Sequence, residues 1–159
     1  MDIQIRKANL DDIELITSMV AKLLSELGDE AVNSKEFKDV CTELLGKERN
    51  LYTAFLAFKE DQCVGIITLS EFASLYAKGI GGVIQELYIV PNVRSQGIGD
   101  LLIDAAKEYG INRGWTRIEV GAPDAEKWNR TVSFYKREGF IEVGPRLKYP
   151  LKKLEPNAT

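Results

Sequence analysis

The sequence predicts an α/β fold: a mixed, mostly antiparallel sheet flanked by four helices. Three observations carry that reading. Strand-like and helix-like hydrophobic periods alternate along the chain. Successive strand-like runs in the middle are joined by short polar or glycine-containing turns, which makes neighbouring strands antiparallel. One strand–helix–strand passage, from Val83 to Val120, adds a parallel pair. At 159 residues, 45% hydrophobic and 28% charged, the chain reads as one domain over 1–159, large enough to bury a core without a metal or disulfide.

Ile3 and Ile5 alternate with polar neighbours and predict a first strand. Asn9 then precedes Asp11, Asp12 and Glu14, cap and first-turn residues that suit the positive end of a helix dipole. Ile13, Ile16, Val20, Leu23, Leu24 and Leu27 follow at helical spacing, with Gly28 to end the helix. A second helix starts at Asn33 or Ser34, sets Phe37, Val40, Cys41, Leu44 and Leu45 on one face, and stops at Gly46.

Leu51–Lys59 and Cys63–Glu71 read as a hairpin turned at Glu60-Asp61-Gln62. Gly79-Ile80-Gly81-Gly82 reads as a flexible connection into the apolar strand Val83–Val90. Beyond Pro91 a glycine-containing turn leads into a helix carrying Ile98, Leu101, Leu102, Ala105, Ala106 and Tyr109 inward, closed by Gly114. A short strand, Thr116–Val120, precedes a last helix from Trp128 or Asn129 to Glu138. Two closing strands, Phe140–Val143 and Arg146–Tyr149, flank Gly144-Pro145.

Composition excludes several chemistries. With no histidine, Ser–His–Asp and Cys–His catalysis, HExxH zinc chemistry and a histidine proton shuttle are ruled out. Cys41 and Cys63 form no CxxC pair, so no metal site is expected, and they read as buried small hydrophobes. A formal charge of −3 argues against nucleic acid as a partner. No apolar run approaches a membrane span. With no signal peptide in view, the expected compartment is the cytoplasm, with reduced thiols and no membrane partner.

The most informative segment runs from Leu87 to Asp100. A strand leads into a turn, and Gly97 and Gly99 stand where a helix begins. Small residues there let backbone N–H groups approach an anion, the helix N-terminus adds partial positive charge, and Arg94 supplies a cation. A dinucleotide-binding loop fails at Leu102, where its third glycine belongs. A Walker loop fails because Gly-Lys-Ser/Thr is missing. Glycines that merely ease a tight turn remain the plain alternative.

Arg94-x-x-Gly97-x-Gly99 after an apolar strand resembles the coenzyme A signature of the GNAT superfamily of N-acetyltransferases. The run Asn129 to Phe140, with Phe134-Tyr135 and Gly139-Phe140, looks like the last helix of that family, and the likeness in element order covers nearly the whole chain. The resemblance implies the GNAT acyl-CoA N-acyltransferase fold. It also implies acetyl transfer from acetyl-CoA to a primary amine, by direct attack in a ternary complex and without a metal. Members of that family often form homodimers. The alternative is a catalytically silent CoA-binding sensor or interaction module of the same fold.

Carried onto this chain, the resemblance gives Leu87, Tyr88 and Ile89 backbone contacts to acetyl and pantetheine, one N–H polarising the thioester carbonyl. Ser95, Gln96, Gly97, Ile98, Gly99 and Asp100 would cradle the pyrophosphate, with the Asp100 carboxylate turned away. Tyr135 would protonate the departing thiolate, and Phe134 reads as a core aromatic. Where many members hold a cofactor-touching asparagine this chain has Trp128; Asn129, one step later, is either that contact or the helix cap.

With no histidine, a carboxylate or a water chain must accept the ammonium proton, and the candidate carboxylates are Glu86 on the central strand and Glu119 on the next. Members with the base on the central strand often carry it at the place of Gln85, and strict alternation would then turn Glu86 away. Residues 1–80 hold 9 basic and 14 acidic groups, and residues 81–159 hold 12 and 10. That division suits a cationic acceptor on the first half and a phosphorylated cofactor on the second.

Overall fold

The computed structural model describes residues 2–28, 34–46, 51–121, 126–144 and 146–151. They form two compact units, Met1–Val120 and Gly121–Thr159.

The first unit is a five-stranded sheet in the order β1-β2-β3-β4-β5. Its strands are β1 (Ile3–Lys7), β2 (Tyr52–Lys59), β3 (Gln62–Ser74), β4 (Gly79–Ile89) and β5 (Ile118–Val120). The first four pair antiparallel, and β4 pairs β5 in parallel. Helices α1 (Ile13–Leu27) and α2 (Ser34–Leu45) cover one face, and α3 (Ile98–Arg113) covers the other.

Each face is written in the strand alternation. Ala54, Leu56, Ile66 and Tyr88 pack with Ile16, Met19, Val20 and Cys41 in one apolar cluster. On the opposite face Thr53 and Phe55 meet Tyr109 of α3, the hydroxyls of Thr53 and Tyr109 lying 3.2 Å apart.

Local signals act where they were expected. Asn9 and Asp12 form a capping box on a 3-10 turn, Leu10–Asp12, that feeds α1. The Asp12 carboxylate also receives both guanidinium arms of Arg6 at 2.8 Å. Gly28, at φ +100°, ends α1. Lys59 pairs with Gln62, so Glu60 and Asp61 form a two-residue hairpin loop, and both carry the positive φ such a loop demands.

Two expectations are corrected. Gly79 to Gly82 is no flexible connection but the first part of β4. A Cβ on Gly82 would press against the six-membered ring of Trp115, 2.6 Å from Cη2, so the missing side chain is the space the indole fills. Second, Phe140–Val143 and the described residues 146–149 form no strands. Ile141 and Val143 alternate yet are both exposed, as are Leu147 and Tyr149, so the apolar alternation buries nothing. Asn33 and Pro145 lie outside the described residues.

The second unit holds one helix, α4 (Asn129–Arg137), among its described residues. Tyr135 stacks edge-on against Phe134 and Phe140 at 5.4 and 5.5 Å between ring centres. Among the described residues no helix is long and apolar enough to cross a membrane.

Candidate active site

The central strand is irregular at one point. Thr68 pairs with Glu86, but the next residue of β3, Leu69, pairs with Ile84, so Gln85 is an extra residue in β4. A bulge of this kind suspends alternation and re-aims side chains. Gln85 bonds Ser70 at 2.8 Å while Glu86 bonds Thr68, so both reach residues of the same face of β3. The alternation argument that turned Glu86 away fails here, because the extra residue resets the face.

The Glu86 carboxylate is half-buried and well held. Its Oε1 accepts the Tyr52 hydroxyl at 2.7 Å and the Thr68 hydroxyl as well. The Thr68 oxygen in turn accepts the Glu86 N–H at 3.0 Å. Burial, then the nearby Glu86 carboxylate, pushes the Tyr52 phenol far up from its ordinary range, so it remains a donor. Cys41 of α2 also feels this carboxylate, and chiefly through burial its thiol is raised to about 11. Tyr52 and Thr68 escaped the sequence reading. Thr68 had left a trace, as a hydroxyl inside the otherwise apolar run Val64–Leu69; Tyr52 had left none.

The β4–β5 ladder runs only from Gly82↔Ile118 to Ile84↔Val120 and stops at the bulge. Beyond it, β4 keeps its β3 partner alone among the strands of this unit. The Val90 N–H bonds Val64 O at 2.9 Å, so by antiparallel alternation the backbone groups of Leu87 and Ile89 point to the other edge. One of them, the Ile89 carbonyl, accepts Arg94 Nε at 2.8 Å. Tyr88 offers instead a buried ring, in the cluster under α1.

From that edge the chain enters a 3-10 turn, Pro91–Val93, and then two residues with positive φ, Ser95 at +65° and Gly97 at +84°. Such turns gather successive N–H groups into a concave anion-binding nest. Gly97 is the N-cap of α3 and supplies no side-chain cap, while Leu101 N–H is the first bonded back, to Gly97 O at 3.2 Å. The N–H groups of Ile98, Gly99 and Asp100 therefore belong to the helix end that lacks intrahelical partners. Gln96 and Asp100 are exposed, and Ile98 and Gly99 are buried.

Arg94 is already engaged. Its guanidinium forms a two-pronged pair with Glu26 at 2.9 Å and lies over the Tyr88 ring. Its charge thus ties the turn to α1. Glu119 is engaged too: Arg117 donates to its Oε2 at 2.9 Å and Tyr76 donates to the same oxygen at 3.2 Å.

In the second unit the Tyr135 hydroxyl is buried, and burial raises its pKa to about 12. Asn129 is the first helical residue and Trp128 the N-cap, so the cap role considered for Asn129 is corrected. Among the described residues its exposed side chain accepts the Ser133 hydroxyl, at 3.5 Å.

A bulged central strand, a ladder that stops there and a nest at the next helix are what this α/β sheet brings together at one edge. Residues 17–140 match the acetyltransferase (GNAT) family, and the chain belongs to it. It is an acyltransferase of the acetyl-CoA-using kind. An uncharacterized N-acetyltransferase of Archaeoglobus fulgidus is 27% identical over 112 residues, 69% of this chain and 75% of that protein. Among solved structures, an integron cassette protein from the mobile metagenome of Cole Harbour Salt Marsh matches with TM-score 0.81 and 23% identity. That match covers 97% of this chain and 93% of the other. A predicted acetyltransferase with acetyl-CoA from Clostridium acetobutylicum matches with TM-score 0.79 and 22% identity, over 94% and 97% of the two chains.

Proposed function

We propose that the chain transfers the acetyl group of acetyl-CoA to a primary amine by direct attack in a ternary complex, as one catalytic domain in the cytoplasm. The observation that carries the reading is the β4–β5 ladder ending at Ile84 and Val120, which frees backbone groups on the strand that leads into the nest. The residues fit the cofactor: a pantetheine arm needs amide partners, and Leu87 has its N–H and C=O toward the free edge. A pyrophosphate needs converging N–H groups, which Ser95 to Asp100 gather at the α3 terminus. The family match spans both units, which supports a single domain.

Acetyl-CoA supplies an acetyl group activated as a thioester. The Leu87 N–H donates to the carbonyl oxygen and stabilises the charge that develops there. Glu86 accepts the proton of the ammonium, which frees the nitrogen lone pair. We favour it over Glu119 because the Glu119 carboxylate is committed to Arg117. Tyr135 gives its proton to the sulfur as the C–S bond breaks, its raised pKa keeping the phenol loaded at neutral pH, and the second proton that the nitrogen sheds on becoming an amide restores the phenol.

Calorimetry with acetyl-CoA and with NAD tests the cofactor, and a primary-amine library read by CoA release tests the reaction. Saturable acetyl-CoA binding and turnover of at least one amine are expected. NAD binding without CoA binding overturns the proposal, and CoA binding with no turnover points to a sensor.

A further inference from the structure

We propose that Tyr52 and Thr68 are positioning residues that occupy Glu86 Oε1 and so leave Oε2 as the oxygen that takes the amine's proton. The inference rests on Glu86 being the base. A carboxylate oxygen offers two lone pairs, and the Tyr52 and Thr68 hydroxyls use both on Oε1. Among the described residues Oε2 has no hydrogen-bond partner. The ammonium proton passes to Oε2, the N–H electron pair stays on nitrogen, and the carboxyl later releases the proton to water.

Three strands build this arrangement, and no local signal foretells it. Ala54, Thr68 and Glu86 stand in line across β2, β3 and β4. Tyr52 lies two residues before Ala54, on the same face, and reaches across the two small side chains to the carboxylate. Without the bulge at Gln85, the β4 residues beyond Ile84 would exchange faces and the two hydroxyls would meet another side chain.

The titratable groups that face Glu86 are few. From α2 the titratable neighbour is Cys41, a thiol raised to about 11 and therefore neutral. From α1 the residues in the same cluster are the apolar Ile16, Met19 and Val20. The neighbours on the strands are Tyr52, whose phenol stays protonated, Thr68 and the Tyr88 ring. Hydrogen bonds donated to a carboxylate favour its ionised form, so removing one makes it hold a proton to higher pH.

The test is a 13C NMR pH titration of side-chain carboxyls in the free protein, with the Glu86 signal assigned by its loss in Glu86→Gln. Tyr52→Phe keeps the ring and removes only the donor, and should move the Glu86 midpoint upward. Thr68→Val should move it the same way, and Thr68→Ser should restore it. The thermal midpoint of Tyr52→Phe separates this from a packing defect, since a purely structural role lowers Tm and leaves the titration in place. An unmoved Glu86 midpoint in both Tyr52→Phe and Thr68→Val overturns the proposal.

Activity in the amine screen keeps the two readings apart. If Glu86→Gln turns over like the wild type, Glu86 is not the base, and the proton-taking role assigned to Oε2 falls with it. If Glu86→Gln is inactive and the NMR midpoints do not move, the base reading stands and the positioning alone is refuted.

Discussion

Replacing Gly97 by valine perturbs the nest in two separable ways. Gly97 sits at φ +84°, where a side chain costs roughly 1–2 kcal/mol because its Cβ crowds the following carbonyl oxygen. A Cβ built there meets no atom within 4 Å, so the fold carries strain without a clash. With a urea m-value of about 2 kcal/mol/M, the unfolding midpoint should fall by roughly 0.5–1 M. The branched side chain would also stand where an anion's oxygens approach the first turn of α3. Losing one hydrogen bond to a charged acceptor costs about 1.5–3 kcal/mol, which is a roughly 10- to 150-fold loss of CoA affinity. Calorimetric titration with CoA, run beside urea unfolding, reads both effects, and Gly97→Ala supplies the strain with less bulk. A Gly97→Val protein with the lowered midpoint and wild-type CoA affinity would put the cradle elsewhere.

Tyr135→Phe keeps the ring and its packing and should slow single-turnover acetyl transfer roughly 100-fold with CoA affinity little changed; an unchanged rate and pH profile rules the phenol out as the acid. Gly82→Ala should destabilise the first unit by about 1–3 kcal/mol, read by urea unfolding. Trp115 has little room to yield, since its indole N–H bonds Glu71 at 2.8 Å and its ring also lies against Gly110. Asp12 titrates below its ordinary value of 3.8, first through its hydrogen bonds from Arg6 and then through the Asn9 N–H. Its folded-state pKa is depressed, so its stabilisation is complete above about pH 4 and is lost as pH falls through the lower folded value. Thermal unfolding from pH 7 to 2 should show Asp12→Asn least stable relative to the wild type at neutral pH, with the gap narrowing in acid; a constant gap would refute the linkage.

Sequence alone determined the elements whose causes are local. The helical repeat from Ile13 to Leu27, the Asn9–Asp12 cap, the Glu60-Asp61 turn and the Arg94-to-Gly99 frame each depend on residues a few positions apart. Periodicity and turn chemistry act at that range, and the structure places these elements where the sequence put them, save that Gln62, read as part of the turn, opens β3. The pairing of Arg94 with Glu26 and of Tyr52 with Glu86 joins residues far apart in the chain, and only folding brings them together. The same holds for the glycines at the start of β4, which read locally as a loop and became a strand by pairing with β3, Phe72 filling the space over Gly81 and Trp115 that over Gly82.

Phe140–Val143 shows the converse: an alternating pattern is a condition for a strand but does not suffice, and a strand needs a partner that the pattern alone does not supply. The face of Glu86 turned on one extra residue in β4, and register is a property of two strands together, so neither strand's sequence could decide it.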